Sequence, residues 1–233
     1  MRKDDKYLIG GTIAAFILLL ALRWLDWNLY LQITTEDGLI ENFTAAAFIV
    51  AAIYAFALAI HRDRRHYHFS NQVIAFALFL VLLVCGMDEI SWGQRIFDFQ
   101  TPEAVLEVNT HKETTIHNIY PVQQSLDWIY MAAGIYGMLS GLVYTAMPIH
   151  LQRTIEACGG KILVVPPKYA FVFVPIFVQS FWWYFLRGYG CYDLDPGCML
   201  AQPDEEPAEL FFAWGWLLTA RDKLRTSRPT LPA

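Results

Sequence analysis

Apolar runs recur along the whole chain, each closed by a short polar interval. They fall at roughly 7–27, 42–60, 70–88, 122–148, 169–187 and 207–220. Each is about 14 to 27 residues long, against about 20 for a helix that crosses the hydrocarbon core of a bilayer. The last run is the shortest and contains Glu209. The pattern predicts an all-α, polytopic membrane helix bundle of about six transmembrane helices, with residues 1–233 forming one integral membrane domain. The first run passes into "LRWLDW" without a small-residue cleavage site, so it is expected to stay in place as a signal anchor. No internal repeat stands out.

Composition agrees with the pattern. The chain is 56% hydrophobic and 17% charged, with a mean hydropathy of +0.33. An ordinary soluble domain carries about 25% charged residues. The net charge of −5 hides a polarity. The N-terminus, the loop "HRDRRHYHF", the loop 149–168 and the tail 221–233 carry 13 of the 17 Lys and Arg residues, and five of the 22 acids. These four segments fall on one side of a six-span bundle. By the positive-inside rule that side is cytoplasmic, and so are both termini. Orientation and anionic headgroups account for the basic loops, so no nucleic-acid partner is expected. His61, His66 and His68 sit in one of these loops and are expected to be solvated. Cys191 and Cys198 share the outer loop "GYGCYDLDPGCML", where a disulfide is one outcome and two unpaired thiols the other.

One interval is unusually rich in polar chemistry. "MDEISWGQR", residues 87–95, ends the third span on the outer side. On a continuing helix Asp88, Ser91 or Trp92, and Arg95 share one face. Glu89 points about 100° away. Gly93 leaves room for another backbone. Two further stretches enter the membrane from the same side. "EDGLIENFT" brings Glu41 into the second span, and "PDEEPAELFF" brings Glu209 into the sixth. Asp37, Glu205 and Glu206 are expected to complement helix dipoles. Glu41 and Glu209 sit deeper, where a carboxylate more often marks a site. Asp127, early in the fourth span, fits either a cap or a member of this cluster.

Residues 89–121 form the long outer segment and predict a short extracytoplasmic helical cap between spans three and four. "TPEAVLEVN" has Thr101 as N-cap and Pro102 at the first helical position. Its Ala104, Val105 and Val108 suit a helix lying in the interface. "NTHKETTIHN" then spaces Asn109, Glu113 and His117 by four. If that piece is helical, Glu113 and His117 share a face and can hold a divalent metal or act as an oriented base. An ordinary hydrogen-bonded pair has the same spacing, and Thr114 and Thr115 disfavour helix. Elsewhere, Ala133, Gly137 and Gly141 form a small-residue stripe for helix packing. "QSFWWYFLRGYG" reads as an aromatic belt with a snorkelling Arg187.

"EDGLIENFTAAAF", "DEISWGQRIFDFQTP" and the N-x3-E-x3-HN that follows resemble a set of bacterial multi-pass membrane proteins. That set carries E-D-G-x-x-E, E-E-I-S-W-G-Q-R and E-x3-H-N in this order. The resemblance covers about residues 34 to 120, with Asp88 where the second motif has Glu. It implies a bacterial inner-membrane protein and no particular reaction. A fainter analogy is to the alkaline-ceramidase group of seven-helix hydrolases, where a stretch similar to "EDGLIENFT" leads into a span. That group's zinc site needs three histidines at membrane depth. Only His111 and His117 lie on the outer side here, so the analogy fails at the metal.

Three functions from different classes fit the sequence. In the first, the polar cluster is a structural network or a partner-binding site on a membrane protein. In the second, the protein is a membrane-embedded hydrolase or transferase acting on a lipid or lipid-linked substrate. Glu41, Asp88, Glu89, Glu113, His117 and Glu209 would then be the acid–base or metal set, with Arg95 holding an anionic group. In the third, the carboxylates relay protons or cations through a transporter. Membrane lipids are partners in every case.

Overall fold

The structure is a computed structural model. It describes residues 3–35, 38–60, 69–109, 112–186 and 202–227, leaving aside the side chains of Arg95 and Gln202. Asp37, the Cys191–Cys198 pair, Arg187, His61, His66, His68 and His111 lie outside the described residues.

The fold is an all-α bundle. In chain order its helices are α1 (Lys3–Leu25), α2 (Trp27–Thr34), α3 (Leu39–Ala59), α4 (Phe69–Glu89), α5 (Gln94–Phe97), α6 (Glu103–Leu106), α7 (Tyr120–Ala146), α8 (Ile149–Ala157), α9 (Val174–Leu186) and α10 (Glu205–Ser227). A 3-10 segment, Pro167–Phe173, leads into α9. Five helical segments are long and apolar enough to cross a membrane: α1, α3, α4, α7 and Pro167–Leu186. The sixth predicted run lies inside α10, which is 23 residues long, or about 34 Å. Charged residues at both of its ends keep it out of that set.

Ion pairs nevertheless show that α10 runs the full height of the bundle. At one end Arg23, near the end of α1, pairs with Asp204 at 2.7 Å, just before α10 begins. At the other end Lys168 joins Asp5 of α1, at 2.9 Å, to Asp222 of α10, at 2.6 Å. Arg225 of α10 reaches Asp4 at 3.1 Å. The start of α1, the 149–168 connection and the end of α10 thus meet at one end, as the charge pattern grouped them. Ser70, opening α4, donates to the Ala157 carbonyl at 2.9 Å and joins the same end.

Small residues set the packing. Ala51, Ala52 and Ala55 of α3 are fully buried against α4 and α10, with Leu78, Leu82, Ala213 and Leu217 filling the seam. On α7 the buried stripe is Gly134, Gly137 and Gly141, one position away from the expected Ala133. The ring of Phe173 lies between two glycines. A Cβ on Gly137 would meet it at 2.2 Å, and one on Gly215 of α10 at 2.6 Å. Between α7 and α9, Trp128 packs tilted against Tyr184 and edge-on to Phe185.

Candidate functional site

The polar end of the bundle divides into two halves, one on each side of the Asp88–Glu89 peptide. α4 stops at Glu89, so the two neighbours still diverge as helical geometry requires. Beyond them the expected continuous face does not form. Ser91, Trp92 and Gly93 all adopt positive φ, at 48°, 55° and 80°. Three left-handed residues in a row turn the chain out of the helix, and only Gly93 does so without steric cost. Gly93 therefore serves the turn rather than the close approach of another backbone.

That turn folds the cap back onto Asp88. Its Oδ1 accepts from Trp92 Nε1 at 2.9 Å and from the Ile116 backbone N–H at 2.7 Å. Its Oδ2 accepts from the His117 backbone N–H at 2.9 Å and lies 2.8 Å from His117 Nδ1. A carboxylate only accepts, so Nδ1 carries the proton in this contact. Asp88 is buried and its two oxygens take four donors, three of them from a segment 28 or 29 residues away.

The remaining cap contacts continue this clasp. Ser91 Oγ donates to Glu113 Oε2 at 2.7 Å. Gln94 Nε2 donates to Thr101 Oγ1 at 2.8 Å, and Gln94 Oε1 accepts from the Thr114 N–H at 2.9 Å. Thr101 Oγ1 donates to the Lys112 carbonyl at 2.8 Å. It ties two parts of the cap together instead of capping α6, whose N-cap position is Pro102. Asn109 Nδ2 donates to the Thr115 carbonyl at 2.8 Å, and its Oδ1 accepts from the Glu113 N–H at 3.2 Å. An antiparallel bridge between Asn109 and Ile119 closes the loop.

Residues 112–118 form bends and turns, not a helix. The shared Glu113–His117 face therefore does not exist. Glu113 is engaged by Ser91 and His117 by Asp88, so the structure sends the proposed metal pair to two different partners. Local side-chain hydrogen bonds from Asn109 and Thr115 outcompete the helix in this stretch.

The other half gathers carboxylates. Glu89 of α4 meets Glu206 and Glu209 of α10, with one carboxylate oxygen from each within 4.8 Å of the others. Glu206 and Glu209 are three apart, on one face of the helix. Glu41, buried in the first turn of α3, adds its charge to the same place. The Tyr130 hydroxyl of α7 faces Glu209 within hydrogen-bonding range. Like charges this close repel unless a proton or a cation lies between them. Three carboxylates from two helices form the donor set of a hard divalent cation, and among the described residues this is where such a set occurs. Arg95 lies on α5.

Sequence reasoning named Glu41, Glu89 and Glu209 but set Glu206 aside as a helix-dipole residue. Its three-residue spacing from Glu209 was the available signal. It also missed Arg23, Asp204 and Tyr30, which form a second buried polar group: Tyr30 Oη donates to Asp204 Oδ1 at 2.6 Å. Burial and the adjacent carboxylate push the Tyr30 phenol well above its ordinary range.

No protein-family model, no curated protein and no solved structure matches this chain.

Proposed function

We propose that this is a multi-pass protein of the bacterial cytoplasmic (inner) membrane, with cytoplasmic termini, whose outer end is a polar network holding a fixed cap in place for contact with a partner. The observation that carries this reading is the Asp88 carboxylate, saturated by four donors from the turn and the cap. A network satisfied in this way specifies one shape of the loop. The polarised charge supports the orientation, and the resemblance of residues 34–120 supports the bacterial setting.

The convergence of Glu89, Glu206 and Glu209 favours a second reading, a membrane-embedded hydrolase or transferase acting on a lipid or lipid-linked substrate. These carboxylates would hold a divalent metal or serve as acid and base, and Arg95 would bring the counter-charge. A proton or cation relay uses the same residues.

Metal content and thermal stability of the purified protein separate the readings. The first expects no stoichiometric divalent metal and a much larger loss of stability from Asp88→Asn than from Lys112→Ala. The second expects near-stoichiometric metal that is lost in Glu89→Gln/Glu209→Gln while the fold survives. Glu113→Gln/His117→Ala serves as the comparison. If that variant alone loses metal, both assignments fail and the site lies in the cap.

A further inference from the structure

α1 touches the bundle in an unusual way. Only three of its residues are buried, and all three are polar: Asp5, Thr12 and Arg23. Asp5 is bound by Lys168, Thr12 Oγ1 accepts from Trp214 Nε1 at 3.0 Å, and Arg23 binds Asp204. The helix is thus held by pins at its bottom, middle and top. Between the pins Leu8, Ile9 and Leu19 pack only partly against the bundle, and Phe16 meets the Phe211 ring edge-on.

Between the upper two pins the gap is a cavity of about 370 Å³. Phe16 and Leu20 of α1, Val174 and Val178 of α9, and Ala208 and Phe211 of α10 line it. Tyr30 and Asp204 close its outer end, and Thr12 and Gln179 supply the other polar groups along it. Along α1 its lining runs from Thr12 to Leu20, about 12 Å of helix axis. Its volume is within the range of small-molecule sites, about 300 to 1,000 Å³.

Depth identifies the occupant. Two of the walls, α1 and α9, belong to segments apolar enough to cross the bilayer, so the cavity lies within hydrocarbon. Phe16, Leu20, Val174 and Val178 are exposed along it, and a dry gap would forfeit their dispersion contacts. A mostly apolar slot, open to the bilayer and with its one charged group at the Tyr30–Asp204 end, matches a single acyl chain whose ester end sits at the membrane surface. We propose that the α1–α9–α10 groove is a resident lipid site that takes one acyl chain of an outer-leaflet phospholipid, its glycerol end at the Tyr30–Asp204–Arg23 group. Pro207, Ala208 and Phe211 face this groove, while Glu206 and Glu209 face α4 from the other side of the same turns of α10. The site therefore stands whichever reading of the carboxylates holds.

The test is phospholipid retention. The full chain is extracted in mild detergent, washed extensively and assayed by native mass spectrometry. It is then delipidated and heated with and without mixed phosphatidylethanolamine and phosphatidylglycerol. The wild type is expected to keep one phospholipid per chain and to gain thermal stability when lipid is returned. Leu20→Trp and, independently, Val178→Trp fill the slot from opposite walls, and each is expected to lose the retained lipid and the stabilisation. Leu18→Trp, on an exposed position outside the cavity lining, is expected to keep both. Retention unchanged in both filled variants overturns the proposal. So does a wild type that holds no lipid, or one that buries the groove in a dimer. If one filled variant does not fold, the other decides.

Discussion

Replacing Asp88 by Asn changes one oxygen into an NH₂ group and leaves the shape of the side chain intact. The amide oxygen can keep the two donors now on Oδ1, Trp92 Nε1 and the Ile116 N–H. The NH₂ group then faces the His117 N–H and Nδ1, now 2.9 and 2.8 Å from Oδ2. The imidazole can change tautomer and accept, but a backbone N–H cannot. One donor is stranded and the others lose their charge assistance. A hydrogen bond to a charged group is worth about 1.5–3 kcal/mol, and a stranded donor costs about 1–3 kcal/mol. The cap should thus lose roughly 2–4 kcal/mol of local stability. At about 1.4 kcal/mol per factor of ten, the Ile116 and His117 amides should exchange with deuterium about 30- to 1,000-fold faster. Amides in the middle of α3 should be unaffected, because they are not tied to the clasp. Hydrogen–deuterium exchange on the detergent-purified variant reads both regions at once. Unchanged exchange at 116 and 117 would refute the claim that Asp88 holds the cap.

Three further outcomes are expected. Gly137→Ala places a methyl group 2.2 Å from the Phe173 ring and should destabilise by about 1–3 kcal/mol. Phe173→Leu in the same chain should relieve part of the loss in a thermal melt, and Gly10→Ala, with nothing within 4 Å, should be neutral or stabilising. Lys168→Met leaves Asp5 and Asp222 facing each other without their shared cation and should loosen the first turn of α1, read as faster proteolysis near the N-terminus. On α8, the Lys161 ammonium and the Tyr144 hydroxyl hold the Glu156 carboxyl below its ordinary range. The sign follows: that contribution is present above the unfolded value, near pH 4.5, and fades as pH falls through the lower folded value. Because the pair is exposed, Glu156→Gln should shift the melting temperature little at pH 7 and not at all in strong acid.

Much of the architecture was legible because it depends on run length and charge. Five of the six apolar runs fall in helical segments able to cross a membrane, the sixth lies in α10, and the described basic segments meet at one end. The divergence of Asp88 and Glu89 followed from helix geometry alone. The turn after Glu89 was not legible. Ser91 and Trp92 carry no sequence mark of positive φ, and the cap contacts that stabilise it come from more than 20 residues downstream. The helical pairing of Glu113 with His117 failed for the related reason that Asn109 and Thr115 bond locally. Arg23 and Asp204 are 181 positions apart, and no local pattern joins residues at that separation.

The order of synthesis gives the position of α10 a further meaning. The alanine face of α3 is covered by both α4 and α10, and α10 follows every other described helix. While the earlier segments enter the membrane, the part of that face turned to α10 and the Gly215 side of Phe173 have no permanent neighbour. The nascent bundle stays open on one side until the ribosome has released Asp222 and Arg225, the residues that latch α10 to Lys168 and Asp4. A chaperone or quality-control protease would meet its target during that interval, and a chain cut short within α10 would remain in it permanently.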